Sequence, residues 1–174
     1  MTEYVLNDEL NVSFPEGFHE MDPEERKNLN FLEEGEGSCF KDPDRHILVS
    51  IGWKTINGFA SMMLSAKDIA GNMEKTFAQA MASTGYRFVD HLEKKAGTLP
   101  GFRYAYTAQG IGMTGESFIL KHGKTVYYLH VYVRTELLEE SLAVTDAILD
   151  SVSIRSKNSS ESLLFFVPEI LGPL

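Results

Sequence analysis

Two segments in the first third of the chain carry apolar residues at every second position. Leu10, Val12 and Phe14 alternate with polar residues, and a proline and a glycine follow them. The segment 47–53 repeats this spacing with two isoleucines, a valine and a tryptophan. Alternation with period two places side chains on one face of a strand. The pattern therefore predicts two strands, each with one face in the core.

Two other segments have the spacing of amphipathic helices. Ile69, Met73, Phe77 and Met81 form one apolar stripe, which follows a Ser-x-x-Asp capping box and stops at a glycine. The segment 137–151 sets apolar residues opposite acidic ones. We therefore predict a long helix in the middle of the chain and another near its end. In the second helix, the residues predicted to face inward are Leu138, Leu142, Ile148 and Leu149.

Four further strands are predicted between these helices. The segments 86–92 and 102–107 alternate apolar with polar residues, and 118–120 and 126–133 are rich in β-branched, aromatic and aliphatic residues. The last two are separated by Lys-His-Gly-Lys, in which Gly123 suits the positive φ of a hairpin turn. Short connections favour antiparallel pairing, so we expect an antiparallel meander.

Together these elements predict an α+β domain in which helices flank an antiparallel β-sheet. Two amphipathic helices must each cover apolar sheet surface, so helices on both faces are the economical arrangement. A chain of 174 residues, 43% of them hydrophobic, can bury a core without disulfides or metals. We expect one domain over residues 1–156, followed over 157–174 by a serine-rich linker and an apolar C-terminal tail.

The order of elements and four local segments resemble the PsbP-like family. The segments are Phe14-Pro15-Glu16-Gly17-Phe18, Ile47 to Trp53, the long helix ending at Gly85, and Ala147-Ile148-Leu149-Asp150-Ser151. The resemblance covers residues 4–155 and implies an α/β/α sandwich around an antiparallel sheet. That superfamily includes the photosystem II extrinsic protein, the nuclear Mog-type Ran-binding factor and bacterial adaptor-like relatives. The resemblance implies a binding protein rather than an enzyme, and it carries no catalytic residue over to this chain.

Charge and composition narrow the classes of partner. The chain has 25 acidic and 16 basic residues, and its formal net charge of -9 repels phosphate backbones and anionic lipid surfaces, so we expect no nucleic-acid partner. The sequence contains no run of 18 apolar residues, and its start lacks the features of a signal peptide. We therefore expect no membrane span and a soluble, cytoplasmic protein. A single cysteine, Cys39, agrees with a reducing cytosol.

Motifs for cofactors and metals stand in the wrong context. Gly110-Ile111-Gly112-Met113-Thr114-Gly115 matches G-x-G-x-x-G, but a strand and a hairpin follow it where a dinucleotide site requires a helix. We interpret it as a glycine-rich loop or bulge between strands. The five histidines lack metal-site spacing, and the acids of residues 33–44 lack the spacing of a calcium loop, which favours a solvated acidic loop. We expect no cofactor, no metal and no catalytic centre.

One histidine keeps two interpretations open. His130 shares a predicted strand face with Tyr128 and Tyr132, where an imidazole between phenols is able to take part in proton transfer. The alternative is a hydrogen-bonded histidine inside the sheet. We favour the alternative, because buried polar groups are generally paired.

Aromatic residues provide the candidate binding surface. Their number exceeds what a single small core requires, and amphipathic rings that line an open groove suit a partner peptide or an apolar ligand. In the tail, seven of the nine residues 163–171 are large and apolar. They must be buried on the domain's own sheet, on a sister subunit as a homodimer, or on a partner. The candidate residues are Trp53, Tyr104, Tyr106, Tyr128, Tyr132, Phe165 and Phe166.

The favoured function is that of a non-catalytic protein-binding module, of the adaptor or chaperone-like kind, with an unidentified protein partner. The alternative is a protein that binds a small apolar ligand between sheet and helix. A third hypothesis is an enzyme whose site is assembled from distant residues and leaves no local motif. An exposed apolar patch would favour the protein-binding module. A closed pocket of roughly 300 Å³ or more would favour the ligand-binding protein. Converging groups with shifted pKa values would favour the enzyme.

Overall fold

The computed structural model describes residues 1–27, 29 and 36–156, and it contains ten strands and four α-helices over these residues. The strands are β1 (Thr2–Leu6), β2 (Leu10–Phe14), β3 (His19–Glu20), β4 (Glu36–Asp42), β5 (Ile47–Thr55), β6 (Arg87–Lys94), β7 (Leu99–Ala108), β8 (Ile111–His122), β9 (Thr125–Arg134) and β10 (Ser153–Ile154). The helices are α1 (Pro23–Arg26), α2 (Gly58–Met63), α3 (Ala66–Ala80) and α4 (Leu138–Ser151). Both strands expected in the first third of the chain, at 10–14 and 47–53, are present.

Seven strands form the main sheet. Their order is β3-β4-β5-β9-β8-β7-β6, and every neighbouring pair is antiparallel. The strands β6 to β9 follow one another along the chain, so the predicted meander is confirmed. In the turn between β8 and β9, Gly123 has a φ of 56°, as the hairpin pattern requires.

One face of the main sheet is covered by a second sheet and by α4. β1, β2 and β10 form this smaller antiparallel sheet in the order β1-β2-β10. Phe14 of β2 stacks on Phe40 of β4 with 4.1 Å between ring centroids. Ile148 and Leu149 of α4 are buried in the same core, together with Leu129 of β9. This core therefore joins the two sheets and the last helix.

α3 covers the opposite face over β7 and β8. The ring centroid of Phe77 lies 5.8 Å from that of Phe102 and 5.5 Å from that of Tyr104. The helix begins at Ser65, whose hydroxyl accepts from the Asp68 backbone N–H in a complete capping box, as predicted. With α3 on one face and α4 on the other, the predicted α+β architecture of helices on both sides of an antiparallel sheet is confirmed.

The inward face of α4 agrees in part with the one predicted, since Ile148 and Leu149 are buried and Leu138 packs against the core. Its buried residues are Ser141, Thr145, Ile148 and Leu149, whereas the predicted Leu138 and Leu142 are half-buried. The two hydroxyl groups tolerate burial because each donates to a carbonyl within the helix, Ser141 to Leu137 and Thr145 to Leu142. Hydrophobic spacing missed Ser141 and Thr145, since small hydroxyl residues resemble polar surface residues in the sequence.

Two elements have no clear sequence pattern. Four of the five residues of β1 keep exposed or half-exposed side chains, so its period-two signal is weak. The helix α2 has no buried residue, and its first turn is capped by Asn57, whose side chain accepts from the Ala60 backbone N–H at 2.8 Å. The predicted linker and tail, 157–174, lie outside the described residues, so the domain boundary at 156 stays a prediction.

Candidate binding surface

Two of the predicted surface residues lie inside the protein under α3. Tyr104 is 0% exposed and Tyr132 is 6% exposed, and both belong to an apolar cluster with Phe102. Burial raises the pKa of the Tyr104 hydroxyl to about 12, although contacts with the hydroxyls of Ser117 and Tyr132 oppose the rise. A partner cannot reach these two rings unless α3 moves.

The packing of Tyr104 explains one glycine of the glycine-rich motif 110–115. Gly110 alone lies in the turn between β7 and β8, with a φ of 77°, while Gly112 and Gly115 lie within β8. A Cβ atom at Gly115 would approach the Cζ atom of Tyr104 to 2.3 Å. The expectation of a loop or bulge is therefore wrong beyond Gly110, because the strand is continuous and its glycine leaves room for a buried tyrosine ring.

His130 forms a hydrogen bond inside the sheet. Its Nδ1 atom lies 2.8 Å from the hydroxyl of Ser117, its direct partner across β8 and β9, and its ring packs 5.6 Å from that of Phe77. Burial lowers the pKa of the imidazole to about 4. Ser117 is 0% exposed. A serine and a histidine at this distance resemble two of the three groups of a hydrolytic triad, but a substrate cannot reach the serine, so the contact is structural.

The acidic segment 33–44 is not uniformly solvated. Glu33 and Glu34 lie outside the described residues, and Glu36 accepts from the Trp53 indole N–H at 2.8 Å. Asp42 is 1% exposed, pairs with the Arg45 guanidinium, and accepts from the backbone N–H of Arg45 at 3.0 Å. Burial raises the pKa of the Asp42 carboxyl, but the hydrogen bonds from Arg45 outweigh it and the pKa is lowered. This carboxylate therefore fixes the turn between β4 and β5.

The remaining predicted surface residues are half-buried and do not form one patch. Trp53 lies opposite Tyr127 across β5 and β9, so it points to the opposite face of the sheet from Tyr128. On β8, Tyr106 pairs with Met113 and Tyr128 pairs with Ile119. The two tyrosines are therefore six residues apart along that strand. Phe165 and Phe166 lie outside the described residues. The predicted set therefore offers separate half-buried rings, and a shared binding surface stays a prediction.

The structure presents a different apolar surface, which the sequence analysis missed. Three side chains of α2 project into solvent: Phe59 is 76% exposed, Met62 is 86% exposed and Met63 is 65% exposed. We call these three residues the α2 patch. A run of Phe-Ala-Ser-Met-Met-Leu before a capping box was the available signal. It resembles a buried segment, because apolar content alone does not distinguish a covered helix from an exposed one.

Hydrogen bonds to the β8–β9 turn hold α2 in place. The Ser61 hydroxyl donates to the Gly123 carbonyl at 2.7 Å, and the ammonium of Lys121 donates to the Ser61 carbonyl at 2.7 Å. The Ile56 backbone N–H donates to the Lys124 carbonyl at 2.8 Å just before the helix. Polar contacts therefore orient α2, and none of its large side chains is needed to anchor it.

The charge beside the α2 patch is positive on an acidic protein. Lys121 binds α2 directly, and the Cε atom of Lys124 lies 3.6 Å from the position of a Cβ atom at Gly58. Lys54 extends over the Tyr128 ring, 5.5 Å from its centroid. Against a formal net charge of -9, this end of the sheet combines exposed apolar side chains with lysines.

A cleft beside β10 is small. It has a volume of about 170 Å³ and lies between Leu99, Leu120 and the β10 region. Ligand pockets generally occupy about 300 Å³ or more. The Lys95 ammonium at its rim already donates to the carbonyls of Asp150 and Val152. This cleft gives little support to an apolar-ligand site.

The described residues contain neither a cluster of metal ligands nor a membrane-spanning helix. No three histidine, cysteine, aspartate or glutamate side chains gather there in a group that could hold a metal ion. None of the helices there has both the length and the apolar character needed to cross a bilayer.

Similar proteins were found by comparison of structures and not by comparison of sequences. No protein-family model and no curated protein matches the sequence. The solution structure of cyanobacterial PsbP from Synechocystis sp. PCC 6803 superposes with a TM-score of 0.60 at 11% identity, over 88% of this chain and 92% of that chain. The Ran-binding protein Mog1p of Saccharomyces cerevisiae superposes with a TM-score of 0.57 at 8% identity, over 88% and 94%. The chain has the PsbP/Mog1-like fold.

A third neighbour extends this likeness. A protein of unknown function from Pseudomonas aeruginosa, a putative regulator by its description, superposes with a TM-score of 0.56 at 11% identity over 89% of this chain and 97% of that chain. The resemblance to the PsbP-like family is therefore confirmed for the fold. At such low identities a PsbP/Mog1-like fold says nothing about which residues bind a partner.

Proposed function

We propose that this PsbP/Mog1-like domain is a non-catalytic protein-binding module and that the α2 patch is its binding surface. The observation that carries the proposal is the exposure of Phe59, Met62 and Met63 on one short helix, since large apolar side chains grouped at a surface mark interaction sites. The Ran-binding activity in the name of the Mog1p neighbour supports a protein-binding use of this fold by analogy.

The composition of the α2 patch favours a particular class of partner. Methionine side chains are flexible and polarisable, and they adapt to varied apolar surfaces. Lys121 and Lys124 at the edge of the patch favour acidic groups beside the apolar contact. We therefore expect the partner to present a short apolar segment flanked by acids, with Tyr128, whose ring lies beside Lys54, as a proposed secondary contact. Trp53 lies on the opposite face of the sheet and stays a separate candidate.

The non-catalytic part of the proposal is supported by the one serine–histidine contact described above. Ser117 is 0% exposed, so a substrate cannot reach the hydroxyl that lies beside His130. We also propose a cytoplasmic location, which the single cysteine of the sequence supports because a disulfide-free protein suits a reducing compartment.

The test is affinity capture with matched variants of the full chain. The baits are the wild type, a Phe59→Ser/Met62→Ser variant, and a Val89→Ser variant that removes an exposed apolar side chain from β6 instead. We expect mass spectrometry to find a stoichiometric protein on the wild type and on Val89→Ser, reduced at least about tenfold on the α2 variant, since hot-spot truncation costs about 2 kcal/mol or more. Capture that is equal on all three baits would remove the α2 patch from the proposal. No retained protein on any bait would remove the proposed function itself.

A further inference from the structure

We propose that the apolar segment 163–171 of the same chain docks on the α2 patch when no partner is bound. The inference rests on the proposed function, because it assigns an internal competitor to the same surface.

The described chain ends at the same end of the main sheet as α2, on the face that the small sheet covers. Ile154 of β10 pairs with Leu10, and the next residue, Arg155, donates its backbone N–H to the Glu9 carbonyl at 2.7 Å. The Tyr127 hydroxyl donates to the Glu9 carboxylate at 2.6 Å. Tyr127 lies two residues after Thr125, the first residue of β9, and the β8–β9 turn before it holds α2.

The length of the linker limits which surfaces the apolar segment can reach. Six residues, 157–162, separate the described domain from the apolar segment, and six extended residues span at most roughly 20 Å. β8 has twelve residues, so its other end lies roughly 40 Å from the β8–β9 turn. The apolar segment therefore reaches α2 more easily than it reaches the opposite end of the sheet. Tethering raises its local concentration to the millimolar range.

The two surfaces are complementary in apolar character and in charge. Seven of the nine residues 163–171 are large and apolar, and the α2 patch is an exposed apolar surface that needs cover. Glu161 and Glu169 stand on either side of the residues 163–168, while Lys121 and Lys124 border the α2 patch. The segment thus has the apolar core and acidic flanks expected of the external partner.

Disulfide trapping in the full chain tests the inference. The test protein carries Met62→Cys with Phe166→Cys. The matched control carries Val5→Cys with Phe166→Cys, since Val5 is an exposed apolar residue within reach of the linker: its partner on β2, Asn11, also pairs with Ser153 near the end of the described chain. Cys39 is replaced by serine in both. At low micromolar protein under mild oxidation, we expect the test protein to form its intramolecular disulfide at least about tenfold faster than the control, because tethered docking raises the effective concentration of the thiols.

Two results would overturn the inference. Equal rates in the two proteins would mean that the segment has no preference for α2. Cross-linked dimers whose share grows with protein concentration would mean that the segment of a second copy occupies the patch. Thermal melting of each variant checks that it is folded. No partner is present in this experiment, so its failure leaves the affinity-capture result untouched, and the two proposals can fail separately.

Discussion

The helices α2 and α3 follow each other in the chain and contain similar apolar residues, yet only α3 packs on the sheet. Ile69, Met73 and Phe77 of α3 contact the apolar clusters of the main sheet. Phe59 and Met62 of α2 remain mostly exposed. The difference lies in anchoring, because α3 is held by side-chain packing and α2 by hydrogen bonds to a turn. An apolar helix that is not needed for the core is available for a partner.

The largest expected effect is a difference in stability between two phenylalanine truncations. Phe102→Ala removes a ring that is 1% exposed under α3, so we expect it to lower the free energy of unfolding by about 4 kcal/mol. Phe59→Ala should change it by less than about 0.5 kcal/mol, as surface substitutions do. Urea denaturation measures both. Each truncation is made in a Phe165→Ser/Phe166→Ser background, so that docking of the tail does not contribute at Phe59.

A loss at Phe59 that approached the loss at Phe102 in that background would contradict the comparison. It would mean that α2 is part of the folding core and that the residue is covered in solution. The α2 patch would then not be available as a binding surface.

Sequence patterns predicted α3 well because its evidence is local. The capping box and the apolar stripe lie within one segment, and the structure needs only a sheet for that stripe to cover. Tyr104 and Tyr106 show the limit of such patterns. They share one strand face and the same residue type, but Tyr104 lies under α3 while Tyr106 is half-buried. Which tyrosine is covered depends on the position of the helix, and no local spacing encodes that position.

The candidate site was harder to predict than the fold. The contact between Ser117 and His130 joins residues 13 positions apart through the register of β8 and β9. The role of Gly115 depends on a tyrosine of the neighbouring strand. α2 carries only apolar and small residues. It therefore lacks the contrast between a polar and an apolar face that would predict which side is exposed. Each of these features is a property of tertiary packing.

The second expected effect concerns pH, because packing under α3 lowers the pKa of a histidine, His130. Burial lowers the pKa of His130 in the folded state to about 4, below the usual value near 6.5 of an unfolded chain. Between these values the unfolded state binds the proton and the folded state does not, so stability falls as pH drops from about 6.5 to 4. Since His130 is half-buried as a residue, we expect a contribution of at most about 2 kcal/mol at pH 4.5.

Urea denaturation of the wild type and of His130→Gln at pH 7.5 and pH 4.5 measures this contribution. Carboxylates titrate in both proteins, so the variant supplies the baseline. We expect the wild type to lose more stability than the variant on acidification. An equal loss in the two proteins would show that the imidazole is protonated as readily in the folded state, and that α3 leaves the sheet beneath it open to water.

The smallest expected effect separates the caps of the two helices. Ser65→Ala removes the N-cap of α3, and we expect it to lower the free energy of unfolding by about 1 kcal/mol. Asn57→Ala removes the N-cap of α2, but α2 buries no residue. We therefore expect the global stability to change by less than about 0.5 kcal/mol, because fraying of α2 exposes no core. Hydrogen exchange of the α2 amides should instead become faster, since local opening needs less free energy than global unfolding. If Asn57→Ala destabilised the whole domain as much as Ser65→Ala does, α2 would be part of the cooperative unit, and the contrast between a packed and an available helix would be wrong.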